Sequence, residues 1–189
     1  ELWRSDGTEA GTYMLRDIES GEEGSYPDSL TVYPMGPADE WVLFSAGNSA
    51  HGRELWGYRL AIDRLYGPDI VNAGDVNLPA WDLNPGAASS NPDYLLYRAG
   101  PPFKALYFSA DDGVFGSELY GTTVAATARI KDLNPGPTGS SPRDLTLGAA
   151  PANLIFFSAT LAGSGTEPWI SNGNVGSGGV LKEISPAGG

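Results

Sequence analysis

The chain has 189 residues, of which 23 are acidic and 11 are basic, and its net charge at pH 7 is −12. This charge argues against nucleic acid as a partner, because phosphate backbones need a basic face. The sequence contains no run of about eighteen apolar residues, so we predict no membrane insertion. Cysteine is absent, which excludes disulfides, cysteine-ligated zinc and a thiol nucleophile.

The composition favours many short strands joined by turns. The 26 glycines and 15 prolines fall between short β-branched or aromatic runs, a distribution that is typical of strands rather than helices. No amphipathic pattern extends far enough to predict a helix. We therefore predict an all-β fold.

A short motif divides the chain into copies. Glu-Leu-Trp, or a close variant of it, begins at Glu1, Glu54, Glu118 and Glu167. A Phe-Ser-Ala triplet precedes each later copy by the same ten-residue interval, beginning at Phe44, Phe108 and Phe157. A recurring interval indicates an internally repeated fold. We predict one repeat domain over residues 1–189, with units at 1–53, 54–117 and 118–166 and a partial unit at 167–189.

Each full copy is predicted to contain four strands. They lie at the Glu-Leu-Trp motif, before an acidic–apolar pair such as Asp17-Ile18, in a run such as Leu30-Thr31-Val32, and at the Phe-Ser-Ala triplet. Four strands form the repeating unit of a β-propeller. The predicted architecture is therefore a β-propeller-like array of about three and a half four-stranded blade units.

The second copy is longer than the others. Its extra residues lie between Arg59 and Ala80, which predicts a loop inserted between the first two strands of that unit and, with it, a variable binding surface. The chain also begins inside a repeat, which suggests a fragment of a longer protein. An open repeat array exposes sheet edges, so we expect self-association or contacts with other surface proteins.

The first twelve residues read ELWRSDGTEAGT and are followed by Leu15-Arg16-Asp17-Ile18, while Asn-Pro-Gly turns begin at Asn84 and Asn134. In these features the chain resembles the ELWxxDGT repeat family. The resemblance covers nearly the whole chain outside residues 59–80, although only the first copy keeps Asp6-Gly7-Thr8. It implies a propeller-like fold in a large secreted or surface-attached protein, so the expected location is extracellular or at the cell surface.

Three aspartates beside glycines are the candidates for a metal site: Asp6, Asp111 and Asp112. Calcium binds clustered oxygen ligands on turns, so it is the alternative to the prediction that the chain binds no cofactor. Asp-Gly is also a turn signal, because Asp bonds its own backbone and Gly accepts a positive φ. The turn is the favoured interpretation.

The repeated side chains are predicted to serve the fold. The motif glutamate recurs in every copy, so we expect it to accept hydrogen bonds from backbone or Ser/Thr groups of a neighbouring unit rather than to act as a catalytic acid. The motif aromatics are expected to pack between sheets: Trp3, Trp56, Tyr120 and Trp169. Aromatics outside the repeat pattern are the candidates for a binding surface, although burial or scattered exposure is the favoured interpretation for them as well: Tyr58, Tyr66 and Trp81.

No catalytic group is predicted. His51 is the single histidine, and it cannot by itself form a triad or a histidine-rich metal site. The leading hypothesis is a non-catalytic extracellular structural or interaction module, for example a subunit of a surface filament or an adhesive assembly. The alternative is a glycan- or calcium-binding propeller, and a further alternative is a propeller hydrolase that uses Asp63, Asp69 and Asp75.

Overall fold

The computed structural model describes residues 1–68, 81–100, 104–123, 126–149 and 153–184. These residues form four antiparallel sheets that follow one another along the chain. Apart from strands, they contain a single 3-10 turn, Leu60–Ile62. The predicted all-β class is confirmed.

The first sheet has two strands and the other three have four each, paired in chain order. The first sheet contains β1 (Leu2–Arg4) and β2 (Tyr13–Arg16). The second contains β3 (Asp28–Gly36), β4 (Asp39–Asn48), β5 (Gly52–Arg59) and β6 (Arg64–Tyr66). The third contains β7 (Asp93–Arg98), β8 (Ala105–Asp111), β9 (Ser117–Thr122) and β10 (Thr127–Lys131). The fourth contains β11 (Arg143–Leu147), β12 (Ile155–Leu161), β13 (Gly165–Ser171) and β14 (Gly179–Val180).

The recurring ten-residue interval is the register of one hairpin. In each four-stranded sheet the Phe-Ser-Ala triplet lies on the second strand and the Glu-Leu-Trp motif on the third. The triplet phenylalanine therefore lies opposite the motif aromatic in the pairs Phe44–Trp56, Phe108–Tyr120 and Phe157–Trp169. A shift of one residue would move every apolar side chain to the opposite face, which explains the constant interval.

Each sequence copy is divided between two sheets. The first copy, 1–53, supplies β1 and β2 to the first sheet and β3 and β4 to the second. The predicted strand positions are confirmed there, but the four strands of a copy do not form one sheet.

The extra residues of the second copy follow the fourth strand of the second sheet. β6 pairs with β5 directly after the 3-10 turn, so the predicted insertion between the first two strands of that copy is wrong. The additional length begins at Gly67, and residues 69–80 lie outside the described part of the chain. A pattern of three strand residues was too short to reveal β6.

Apolar side chains fill the space between successive sheets. One cluster joins the first and second sheets, a second joins the second and third, and a third joins the third and fourth. The first strands are also neighbours, since β7 contacts both β3 and β11. The described strands do not close into a barrel or a ring. Among the described residues, no helix has the length and apolar character needed to cross a membrane.

Candidate functional site

The motif glutamate fixes the connection that leads from one sheet to the next. Glu54, on β5, accepts hydrogen bonds from the Leu83 amide at 3.0 Å and from the amide and hydroxyl of Ser90 at 2.8 and 2.5 Å. Glu54 and Ser90 are fully buried. Because Leu83 and Ser90 precede β7, the carboxylate ties the entry of the third sheet to the second.

The next copy repeats this arrangement. Glu118, on β9, accepts hydrogen bonds from the amides of Leu133 and Asn134 at 3.2 and 3.3 Å and from the Ser140 hydroxyl at 2.6 Å. The Asn134 side chain donates to the Gly139 carbonyl at 2.7 Å and so closes the Asn-Pro-Gly turn. The connection before the fourth sheet is therefore held by the same chemistry.

The two remaining copies use the same acceptor. Glu1 accepts from the amide and hydroxyl of Ser25 at 3.1 and 3.0 Å, and Glu167 accepts from the Ile184 amide at 2.6 Å. Although partial burial acts to raise it, hydrogen bonds from Ile18 and Ser25 hold the pKa of Glu1 below its ordinary value. The predicted acceptor role is confirmed, but the partners lie in the same copy and not in a neighbouring one.

The buried carboxylates have altered acidity. Burial raises the pKa of Glu54 to about 7 against the lowering effect of the hydrogen bonds from Ser90 and Leu83, and the Asp82 carboxylate raises it further. Burial likewise raises the pKa of Glu118. A raised pKa can mark a catalytic acid, but these carboxylates are closed off from solvent and occupied by donors of their own chain. In the structure both carboxylates act as hydrogen-bond acceptors for the connections between sheets.

The motif aromatics are buried wherever a Phe-Ser-Ala strand lies beside them. Trp56 and Trp169 donate from Nε1 to the carbonyls of Ala46 and Ala159 at 2.9 and 3.3 Å. Trp169 also stacks on Phe157, with ring centroids 6.5 Å apart. The prediction that these side chains pack between sheets is confirmed for Trp56, Tyr120 and Trp169, which are 2 to 5% exposed.

Trp3 is the exception. It lies on β1, which pairs only with β2 in the described residues, and its side chain is 59% exposed. The prediction of burial is therefore wrong for this copy. The reason is that no described strand pairs with the outer edge of β1, so among these residues Trp3 has neither a phenylalanine to stack on nor the carbonyl of a triplet alanine.

A groove of about 600 Å³ lies beside Trp3 and is the main candidate site. It is lined by both strands of the first sheet and by the facing side of the second, including Trp3, Met14, Leu30 and Val42. One wall carries an ion pair between Arg16 and Asp63 at 3.3 Å. The groove is mostly apolar, as ligand-binding pockets usually are.

A second cavity, of about 520 Å³, lies among the first strands of the three complete sheets. It is lined by residues 29–31, 93–95 and 144–146. The Ser29 hydroxyl donates to Asp93 at 2.9 Å across two of these strands. The backbone is left-handed at Ser29, Tyr94 and Asp144, with φ of 54°, 55° and 58°, and each strand has a register shift there.

Asp6 forms a turn within the first sheet. Its Oδ1 accepts hydrogen bonds from the amide and hydroxyl of Thr8 at 2.9 and 2.7 Å. These two bonds hold the pKa of Asp6 below its ordinary value. This geometry is the turn that was favoured from the sequence.

Asp111 and Asp112 form a turn in a different sheet, between β8 and β9. Asp111 accepts from the Gly113 amide at 2.8 Å, and Asp112 accepts from the Phe115 amide at 2.9 Å and the Tyr120 hydroxyl at 2.7 Å. The structure thus separates these two acids from the turn of the first sheet. Over the described ranges, no group of three or more acidic or histidine side chains could hold a metal ion.

The predicted binding-surface aromatics lie in the interior. Tyr58, Tyr66 and Trp81 are all buried, and Trp41 packs against both Tyr66 and Trp81 with ring centroids 4.6 and 6.3 Å apart. These three residues are therefore core residues and do not form a surface. Tyr58 belongs to the cluster between the first and second sheets, and Tyr66 and Trp81 belong to the cluster between the second and third.

The acids considered for hydrolysis do not form a described site. Asp63 pairs with Arg16 and accepts a hydrogen bond from the Tyr58 hydroxyl, while Asp69 and Asp75 lie outside the described residues. His51 lies 3.7 Å from Asp82. Sequence reasoning missed the groove beside Trp3, although the first motif is the one that no Phe-Ser-Ala triplet precedes in the given residues.

The fold and these contacts define an all-β repeat protein in which three motif glutamates, Glu1, Glu54 and Glu118, tie successive sheets together. No protein-family model, no curated protein and no solved structure matches the chain.

Proposed function

We propose that this chain is a non-catalytic structural and interaction module that binds its partners through the first sheet. In this proposal the sheets are blades of a propeller-like array, and the module acts outside the cell as a subunit of a surface filament or an adhesive assembly. The resemblance of residues 1–12 to the ELWxxDGT repeat family supports the array and the location.

The observation that carries the proposal is the edge of β1 that no described strand pairs with, together with the adjoining apolar groove. Exposed sheet edges that carry apolar side chains are pairing sites unless they are covered. Around it, Trp3, Tyr13 and Met14 are exposed on the first sheet. The buried glutamates support a structural rather than a catalytic role, because each one is satisfied by its own copy.

The test is association in solution. Sedimentation velocity over a range of concentrations, with electron microscopy of the same samples, should show the wild-type protein forming larger species as its concentration rises. The variant Trp3→Asp should remain monomeric, whereas Tyr26→Ala, which removes an even more exposed aromatic outside the groove, should associate normally. A wild-type protein that stays monomeric at every concentration would overturn the assembly role.

A second candidate function is binding of a polar ligand such as a glycan in the cavity among β3, β7 and β11. The observation in its favour is the half-exposed Tyr94 ring beside Asp93 and Asp144, since aromatic faces and carboxylates together suit sugars. A glycan array and calorimetry with calcium, each run with wild type and Tyr94→Ala, test it. If the wild type binds neither a glycan on the array nor calcium in the calorimeter, this candidate function is removed.

A further inference from the structure

We propose that the free edge of β1 and the adjoining groove bind a β-hairpin of the Phe-Ser-Ala type from another polypeptide, with its phenylalanine opposite Trp3. The inference rests on the proposed function as an interaction module and names the chemistry of the partner. The hairpin adds two strands to the first sheet by antiparallel β-augmentation.

The register of the complete sheets specifies the partner strand. In all three, the third strand pairs with a strand in which alanine lies opposite the motif glutamate and phenylalanine opposite the motif aromatic. β1 carries the same motif, Glu1-Leu2-Trp3, and its other edge already pairs with β2. The free edge is thus complementary to a strand that reads Phe-Ser-Ala.

The exposure of Trp3 indicates what the hairpin would cover. Its equivalents Trp56, Tyr120 and Trp169 are nearly inaccessible to solvent, and each lies beside the phenylalanine of a triplet. Trp3 alone is 59% exposed. A triplet strand at β1 would supply both an aromatic ring and a carbonyl for its Nε1.

The second sheet indicates independently that the partner adds two strands beside β1 and not one. Leu30 and Val32, on β3, are each 54% exposed, whereas their counterparts in the later sheets, Leu95, Tyr97, Leu145 and Leu147, pack against buried clusters. Those counterparts face the first two strands of the preceding sheet. In the first sheet these two strands are the ones that the described residues do not supply.

The groove lies between these two features and joins them. Leu30 and Val42 line it from the second sheet, and Trp3 and Met14 line it from the first. A hairpin placed there extends the edge of β1 and covers the face of β3 at the same time. A single strand would satisfy the edge of β1 but would leave β3 exposed.

The experiment uses a synthetic peptide with the sequence of residues 93–111, which contains a first strand and its Phe-Ser-Ala strand and has no tryptophan. All five tryptophans of the protein lie in the described residues, and Trp3 is the one exposed to solvent. Binding should therefore shift the tryptophan emission to shorter wavelength. Hydrogen exchange should slow at residues 2–4 and leave the fourth sheet unchanged.

Matched variants define the register. The same peptide with Phe108→Asp should bind at least about tenfold more weakly, because a central aromatic anchor is lost. By calorimetry, Trp3→Ala should weaken binding of the unaltered peptide by a similar factor, while Tyr26→Ala should leave it unchanged.

The outcomes separate this inference from the proposed function. Failure of the unaltered peptide to bind, or equal binding by both peptides, overturns the hairpin even if the protein associates through another face. If the unaltered peptide binds more tightly than the Phe108→Asp peptide while the protein itself remains monomeric, the hairpin inference is supported. Self-assembly is then removed as the function. Slowed exchange confined to a sheet other than the first also overturns the inference.

Discussion

At the residue scale, the motif glutamate shows what the recurrence of one residue predicts about its role and what it leaves open about its partners. Its presence in every copy correctly predicted a structural acceptor. The sequence did not reveal that the donors belong to the same copy, because Leu83 and Ser90 approach Glu54 only after the chain has crossed to the next sheet. The buried serines at Ser25, Ser90 and Ser140 resembled ordinary turn residues in the sequence.

Removing one of these carboxylates should destabilise the fold. Glu118→Ala leaves the amides of Leu133 and Asn134 and the Ser140 hydroxyl without their acceptor in a buried place. We expect the free energy of unfolding to fall by about 3 kcal/mol, since buried donors are costly to leave unpaired. Urea unfolding measures it, and the exposed Glu9→Ala is the control. Equal stability of the two variants would contradict the structural role.

Glu54 should make stability depend on pH. Its pKa in the folded protein, about 7, lies above its ordinary value, so between these two pH values the folded state holds a proton that the unfolded state has released. The stabilising contribution is therefore complete below the ordinary pKa and is lost as the pH rises through 7.

The measurement compares thermal midpoints of wild type and Glu54→Gln between about pH 5 and pH 8. The wild-type midpoint should fall with rising pH more steeply than that of the variant. His51 is present in both proteins, so the difference in slope isolates Glu54. Parallel curves would show that Glu54 does not titrate in this range.

At the element scale, strands were predictable where apolar residues recur and unpredictable where pairing alone defines them. The Phe-Ser-Ala strands and those near Leu30 and Leu145 lie where the pattern placed them. β6 was missed because three residues carry no period. The division of each copy between two sheets was also missed, since linear order does not tell which neighbours pair.

The left-handed residues at the start of the first strands offer a test of local backbone geometry. Tyr94 has a φ of 55°, which costs about 1 kcal/mol or more for a residue with a side chain. Tyr94→Gly should therefore leave the free energy of unfolding unchanged or raise it, because glycine adopts this conformation freely.

The matched substitution is Leu96→Gly, two residues later in the same strand, where no such strain is relieved. It should lower the free energy of unfolding by about 1 kcal/mol or more, because a strand residue loses its side chain and gains freedom when unfolded. Denaturant titration compares the two. Similar losses from both substitutions would contradict the strain.

At the scale of the whole molecule, charge should control association. Each protein molecule carries a net charge of −12, so two molecules repel each other at long range. The groove attracts a second molecule through apolar contact. At 0.1 M salt, charges more than about 10 Å apart are largely screened from each other, so this long-range repulsion weakens. Sedimentation should therefore show stronger association at moderate than at low salt. Weaker association at moderate salt would indicate an ion-paired interface instead.

The division of each copy between two sheets has a consequence for how such a chain can grow or be cut. Each complete copy supplies the last two strands of one sheet and the first two strands of the next, so every copy spans the boundary between two sheets. Adding or deleting one whole copy would therefore leave each remaining sheet between two copies with two strands from each of them. A sheet that receives strands from a single copy keeps one side of its motif strand unpaired, as β1 is among the described residues.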